Sequence, residues 1–302
     1  MRLLPSGYRS ALAFALLMAI VASRPSARAE EIPAVELVRR TVQNETKSDR
    51  SPMKFMFRDD KKTPHGTQSK LIIETNQALV GMTIANDGKP LSPEERETEL
   101  NRLQHYVDDP AELEKKQRKE KEDEEHTTRI VKALPDAFIY EYGESAVGTE
   151  GIGKLGNPLV RLNFRPKPDY QPPTRVEQVL AGMQGYLLID TKANRIAKID
   201  GTLIKEVGFG WGILGHLDRG GHFWVEQGDA GYGQWEITQM GLSFTGKVLL
   251  FKGLNIQSEE KFSDFKPVAK SLTFAEGVAL VKKESEDQPI CRQCPAKGIS
   301  TD

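Results

Sequence analysis

The hydrophobic pattern is clearest in the second half of the chain, where apolar runs alternate with turn residues over residues 182–265. These runs are rich in Val, Ile, Leu, Phe, Trp and Tyr, and clusters containing Gly, Asn and Asp separate most of them. Strands joined by such tight turns need no helical crossover, so neighbouring strands pair antiparallel. The pattern predicts an antiparallel β-meander. Its expected strands are residues 185–190, 195–207, 222–227, 234–245 and 248–262.

The region before the meander begins with a helical pattern and continues with strand patterns. Valines at spacings of three and four predict an amphipathic helix over residues 30–47. Large apolar and polar residues then alternate from residue 53 to residue 58, as in a strand. A polar turn is expected over residues 61–66, and residues 71–73 and 79–84 are predicted to form two further strands.

A charged helical hairpin is predicted between two groups of strands, over residues 93–134. Ser92 at the N-cap, Pro93 at the first helical position and Glu95 two residues later are a strong helix start. The middle of the second helix, residues 114–125, is almost entirely Lys, Glu, Arg, Gln and Asp. Its charges are mixed in sign, which favours a solvent-facing helix over an arm that binds nucleic acid.

The rest of the chain completes one α+β domain. Residues 137–142 and 159–164 are predicted strands, and residues 272–283 are predicted to form a closing helix. The expected organisation is a signal peptide over residues 1–29, a single domain over residues 30–284, and a disordered tail over residues 285–302.

The N-terminus has the pattern of a secretory signal. Arg2 and Arg9 precede an apolar run over residues 11–21, and small residues at Ala27 and Ala29 predict cleavage after Ala29. The alternative is an uncleaved membrane anchor, but the run is shorter than the ~20 residues that span a bilayer. We therefore expect a periplasmic or secreted protein with no stable membrane span after cleavage.

Composition narrows the possible partners. The net charge is −1, and 28% of the residues are charged with both signs present. No global field therefore attracts the chain to nucleic acid.

Only two cysteines are present, Cys291 and Cys294, in a C-x-x-C near the C-terminus. A local disulfide or a pair of loose thiols is the favoured interpretation, because an oxidising compartment permits bridging. A thioredoxin-type redox motif lacks its strand and helix context, and half of a zinc site lacks recognisable partners.

Motifs for catalysis are weak. The sequence has no Gly-x-Ser-x-Gly, no His-Glu-x-x-His and no Walker-type loop. His216, Asp218, His222 and Glu226 are the best metal-ligand candidates, but their spacing matches no standard zinc pattern. No carboxylate stands isolated in an apolar context, as a tuned general acid would. We therefore expect neither an enzyme nor a bound cofactor.

The strands have alternating apolar faces, and the chain has too few long apolar helices to cover both sides of a large sheet. A strongly curved antiparallel sheet, a half-open β-barrel, can enclose its own apolar face with helices over the open side. Its interior is either filled or holds an apolar ligand. The candidate lining residues are Phe55, Phe57, Ile72, Ile84, Tyr186, Leu188, Trp211, Trp224, Trp235, Phe244, Leu250 and Leu254.

Four short motifs resemble those of the LolA/LolB-like lipoprotein-carrier superfamily. Residues 182–190 (GMQGYLLID) and 195–199 (RIAKI) are similar to its central hairpin. Residues 233–238 (GQWEIT) resemble the start of a later strand, and residues 262–265 (FSDF) resemble its terminal aromatic motif. The order of signal peptide, first helix, strands, inserted helices and meander also resembles that superfamily.

The resemblance implies a half-open barrel with a helical lid over an apolar cavity, and binding of a lipid or lipoprotein acyl chain in the periplasm. One alternative is a non-enzymatic envelope-stress sensor or assembly factor that contacts a protein partner through the inserted helices. A second alternative is a metal-dependent hydrolase that uses the region of His216 and His222.

Overall fold

The computed structural model describes residues 32–47, 53–209, 215–248 and 252–286. The fold belongs to the compact unit that begins at Ala34. Several predicted features lie outside the described residues: the signal peptide, Trp211, Leu250, the Cys291/Cys294 pair and the tail from residue 287 onwards.

The helices agree well with the predicted ones in the described parts of the chain. They are α1 (Ala34–Glu45), α2 (Pro93–Asp108), α3 (Pro110–Ala137), α4 (Phe274–Glu286) and a 3-10 helix at Glu177–Gly182. Helix α3 continues past the predicted end at residue 134. Helix α4 runs to Glu286, so the predicted start of the tail at residue 285 falls inside this helix. None of the described helices is both long enough and apolar enough to cross a bilayer.

Most of the strands are longer than the sequence pattern predicts, but those predicted at residues 137–142 and 195–207 are shorter. The strands are β1 (Lys54–Thr63), β2 (Gly66–Ile73), β3 (Val80–Asn86), β4 (Lys89–Pro90), β5 (Phe138–Tyr142), β6 (Ala146–Val147), β7 (Pro158–Pro166), β8 (Met183–Asp190), β9 (Arg195–Leu203), β10 (Val207–Phe209), β11 (Gly215–Leu217), β12 (His222–Gly231), β13 (Gln234–Val248) and β14 (Lys252–Val268).

The fourteen strands form one antiparallel sheet that is not closed. Its strand order is β4-β3-β2-β1-β14-β13-β12-β9-β8-β7-β5, with β6 beside β7 and the β10–β11 hairpin attached through β11 to β13. The predicted mixed α+β class and the antiparallel meander are confirmed. The first strands and the last strand meet in the middle of the order, because β1 pairs with β14.

Cross-strand partners show that the two faces of the sheet differ in chemistry. One row of direct partners crosses β7, β8, β9, β12 and β13 and is apolar throughout: Leu162, Leu187, Ile199, Val225 and Met240. The neighbouring row is mostly polar: Arg161, Leu188, Lys198, Glu226 and Gln239. Successive residues of a strand point to opposite faces. We therefore call the face of Leu187 the apolar face and the face of Lys198 the polar face.

The first core lies on the apolar face, at the end of the sheet formed by β5, β7, β8 and β9. Helix α1 and the last turns of α3 pack there, because their apolar side chains share one cluster with those strands. Its buried members include Val38, Val42, Leu134, Phe138, Leu162, Leu187, Ile189, Ile196 and Leu203.

The second core lies at the opposite end and on the opposite face. It joins β1, β2 and β3 to α2 and α4 through Met56, Leu71, Ile73, Val80, Met82, Leu103, Phe274, Val278 and Val281. Leu71 is the direct partner of Arg58, and Arg58 shares a face with Asp60. Asp60 pairs with Lys261 in the polar row. The sheet is therefore packed on different faces at its two ends.

Local sequence fixes the inserted helices. Ser92 and Glu95 form the predicted capping box, with Glu95 N–H donating to the Ser92 hydroxyl and Ser92 N–H donating to the Glu95 carboxylate. Asp109 caps α3 by accepting hydrogen bonds from two backbone N–H groups of its first turn. Such caps typically contribute about 1 kcal/mol each, which helps two highly charged helices to form.

Candidate functional site

The predicted cavity residues do not share one face of the sheet. Phe55, Phe57, Ile72, Phe244 and Leu254 lie on the apolar face. Tyr186, Leu188 and Trp224 lie on the polar face. Ile84 packs against the second core, and Trp235 donates a hydrogen bond to the Ile196 carbonyl (3.3 Å) beneath the Arg195 guanidinium. The prediction of one pocket lined by all of them is therefore wrong. Strand alternation separates them.

The part of the apolar face between the two cores is the main candidate surface. It carries Val225, Met240, Leu242 and Ile256 on β12, β13 and β14. Among the described residues, neither core includes Met240, Leu242 or Ile256. Met240 and Leu242 are half-buried, and Ile256 is 41% exposed. We call these four residues the central apolar patch.

An aromatic cluster lies beside this patch on β1 and β14. Phe57 stacks on Phe265 with ring centroids 5.3 Å apart and meets Phe262 edge-on at 6.0 Å. Phe55 contacts Phe265 at 5.8 Å and Tyr232 at 6.3 Å. Tyr232 lies in the β12–β13 turn, and β13 is two strands away from β1 in the sheet order. Two strand spacings amount to roughly 10 Å, so this contact joins side chains of strands that are not neighbours.

Two carboxyl groups lie near the aromatic cluster and have unusual acidity. The Glu74 carboxylate accepts a hydrogen bond from the Phe55 N–H (2.7 Å), and burial raises the pKa of Glu74. Burial, together with the negative charge of Glu74, raises the pKa of Glu236 to about 7, while Arg195 acts in the opposite direction. The expectation that no carboxylate sits in an apolar context is therefore wrong. The signal was present, because Glu236 stands between Trp235 and Ile237.

A third carboxyl group, Asp59, lies on the apolar face of β1, two residues from Phe57. Burial raises the pKa of Asp59 to about 6, and the charge of Glu260 adds to this effect. Its Oδ1 atom is buried and has no hydrogen-bond partner among the described residues. Glu260 forms an ion pair with Lys61 (2.7 Å). In the row that contains Met240, the apolar residues thus give way to the charged residues Glu260 on β14 and Lys61 on β1.

The polar face carries a network that explains two of the metal-ligand candidates differently. The Lys198 ammonium donates to Glu226 (2.9 Å) and lies 5.8 Å from the Trp224 ring. His222 Nε2 lies 2.9 Å from Asp200 Oδ1. His222 and Glu226 therefore each have a protein partner on the polar face.

A different set of three residues could hold a divalent cation. His216 Nε2 lies 3.3 Å from Asp218 Oδ1 and 4.0 Å from Glu206 Oε2. One ligand atom from each residue falls within 4.8 Å of the others. Thr245 Oγ1 donates to the second Asp218 oxygen (2.7 Å), which orients that carboxylate. Of the predicted four, the structure brings together only His216 and Asp218. Glu206 was missed, because it precedes His216 by ten residues and only the pairing of β10 with β11 brings the two side chains together.

A scan against protein-family models, a search of curated proteins and a search of solved structures found no match for this chain. The resemblance to the LolA/LolB-like superfamily therefore stays a prediction, and the function is argued from geometry alone.

Proposed function

We propose that this chain is an exported, non-enzymatic binding protein that takes the acyl chain of a lipid or of an acylated protein onto the central apolar patch. The observation that carries the proposal is the patch itself. A row of apolar residues continues from the first core onto β12, β13 and β14. In the described part of the chain, the patch residues on these strands belong to neither core. Apolar side chains in such a position favour an apolar ligand by ~25 cal/mol per Å² removed from water.

Helix α3 is the first feature that favours a ligand space above the patch. Its 28 residues make a rod of about 42 Å. Glu120 accepts a hydrogen bond from Leu79 N–H beside β3, whereas Leu134 belongs to the first core at the other end of the sheet. Residues 121–125 are all exposed, and five consecutive residues span more than one helical turn. The helix is thus held at Glu120, near its middle, and in its last turns, and the stretch at residues 121–125 between these two points is solvated.

Contacts between strands that are not neighbours are the second support. Tyr232, in the turn between β12 and β13, contacts Phe55 on β1. The charges of Glu74, after β2, and Arg195, on β9, both act on the Glu236 carboxyl on β13. A sheet that curves at these contacts would enclose part of its apolar face, as the half-open barrel of the proposed family would.

The test is a pair of substitutions on adjacent residues of β13. Leu242 belongs to the central apolar patch, and Ser243 points to the polar face. We expect wild-type protein to bind the fluorescent fatty acid cis-parinaric acid, and Leu242→Asp to weaken binding at least tenfold because it places a charge in the apolar floor. Ser243→Asp is the matched control and should bind as wild type does.

Two results would count against the proposal. One is the absence of saturable binding to wild-type protein. The other is an equal loss of affinity in both variants, measured on samples whose thermal unfolding shows that they are folded.

A further inference from the structure

The outer edge of β3 is bonded to side chains over residues 79–83. On one side β3 pairs with β2, and on the other side β4 pairs only with Ala85 and Asn86. Three side chains from α2 and α3 bond to alternate residues of the remaining edge: Glu120 accepts from the Leu79 N–H (3.0 Å), Arg102 donates to the Gly81 carbonyl (2.7 Å), and Glu99 accepts from the Thr83 N–H (2.9 Å).

This arrangement imitates a neighbouring strand. A strand offers carbonyl acceptors and N–H donors in alternation to the edge it joins. Here carboxylates replace the carbonyls opposite Leu79 and Thr83, and a guanidinium replaces the N–H group opposite Gly81. A real strand could take over these hydrogen bonds one for one.

A groove runs along the same edge. It has a volume of about 450 Å³ and lies between the edge strand and the two helices. Ile72 forms part of its floor, and Gly81 has no side chain to fill it. Leu79, at 41% exposed, adds a second apolar surface. A sheet edge beside a helix is the geometry that binds extended peptides by strand addition.

The side chains that occupy the edge are held by exchangeable contacts. Arg102 pairs with Glu99 (2.9 Å), and Lys116 pairs with Glu120, all on partly exposed side chains. Burial opposes ionisation of Glu99, but the hydrogen bonds from Arg102 and Thr83 outweigh it, so the pKa of Glu99 lies below its usual value. Such partly exposed ion pairs contribute little to stability, and an incoming strand can displace them.

We propose that the β3 edge is a docking site for an extended peptide segment, closed in the free protein by Glu99, Arg102 and Glu120. The occupant is a single strand rather than the edge of a second sheet, because α2 and α3 wall the groove. The charged lining balances three carboxylates, Asp59, Glu99 and Glu120, against Lys70, Arg102 and Lys116. The segment should therefore carry little net charge and place an apolar side chain over Gly81. This site is separate from the central apolar patch.

Position 81 offers a sharp test. The Gly81 carbonyl points to the outer edge, and the N–H of a strand residue points to the same side as its carbonyl. Gly81→Pro therefore removes an outer-edge donor without removing a bond to β2, and proline is tolerated on edge strands. Gly81→Ala is the control. Its new Cβ would lie 3.0 Å from the tip of the flexible Ile72 side chain.

The probe is a phage-displayed library of linear twelve-residue peptides selected on the full-length wild-type protein. We expect enriched peptides to lose at least tenfold in affinity with Gly81→Pro and to keep their affinity with Gly81→Ala. A Glu99→Ala/Glu120→Ala variant, which opens the edge, should bind them at least threefold more tightly. Hydrogen exchange should show the Gly81 amide protected by the peptide. The proposal would be overturned if selection enriched no peptide on the wild type or on the opened variant. It would also be overturned if Gly81→Pro left the affinity of the enriched peptides unchanged.

Discussion

Two stretches of the same apolar face behave differently. On β8 and β9, Leu187 and Ile199 are covered by α1 and α3 and form the first core. On β13 and β14, Met240 and Ile256 continue the same face but belong to neither core within the described chain. The strand pattern is alike in both places. Whether an apolar strand face becomes part of a core or stays partly exposed is decided by which helix reaches it.

The largest expected effect separates these two stretches directly. Leu187→Ala should destabilise the protein by about 2–5 kcal/mol, because Leu187 is fully buried and its removal leaves a cavity. Leu242→Ala should cost about 1 kcal/mol, because the half-buried side chain gives up less contact. Urea unfolding of both variants measures the difference. Equal losses would mean that the central apolar patch is an ordinary core.

A middle-sized effect concerns pH and the carboxyl pair beside the patch. The pKa of Glu236 rises from 4.5 to about 7, so the folded state holds a proton that the unfolded state has lost between these values. Stability therefore falls as pH rises through this window, by about 1–3 kcal/mol in total. Glu236→Gln should make the curve less steep between pH 5 and pH 8, and the slope that remains belongs to Asp59 and Glu74, whose pKa values burial also raises.

The control for the pH experiment is Glu259→Gln, on the exposed polar face of β14. It should leave the slope of the wild type unchanged. If Glu236→Gln keeps the wild-type slope too, then Glu236 is not in the desolvated position described here.

The smallest expected effect concerns the middle of α3. Arg118 pairs with Glu114, and both side chains are about two-thirds exposed, at 67% and 65%. Arg118→Ala should change the free energy of unfolding by less than about 0.5 kcal/mol, because an exposed i,i+4 pair is screened by water. A loss of several kcal/mol in thermal or urea unfolding would show that this part of the helix packs against another element of the fold.

Local signals in the sequence predicted much of the fold. Ser92, Pro93 and Glu95 fix a helix start through contacts within one turn, so neighbouring residues suffice to predict it. The meander followed from period-two alternation. The predicted turn over residues 61–66 was too long, because β1 continues through four charged residues to Thr63. Its pairing partners on β14 and β2 hold that charged stretch in the sheet.

The site was harder to predict, because it depends on partners far apart in the chain. Tyr186 and Phe244 looked equivalent as aromatic strand residues, yet register puts them on opposite faces. His222 looked like a partner for His216 but bonds to Asp200 on β9. Periodicity within a strand gives the alternation of faces. It does not tell which strand lies next to it.

Photo-crosslinking with a diazirine-bearing fatty acid, followed by mass spectrometry of peptides, tests the central claim most directly. If the acyl chain lies on the central apolar patch, labels should fall on Met240, Leu242 and Ile256, with little label on the adjacent residues Gln239, Ser243 and Gln257 of the polar face. Labels distributed over both faces, or confined to the polar face, would contradict this claim.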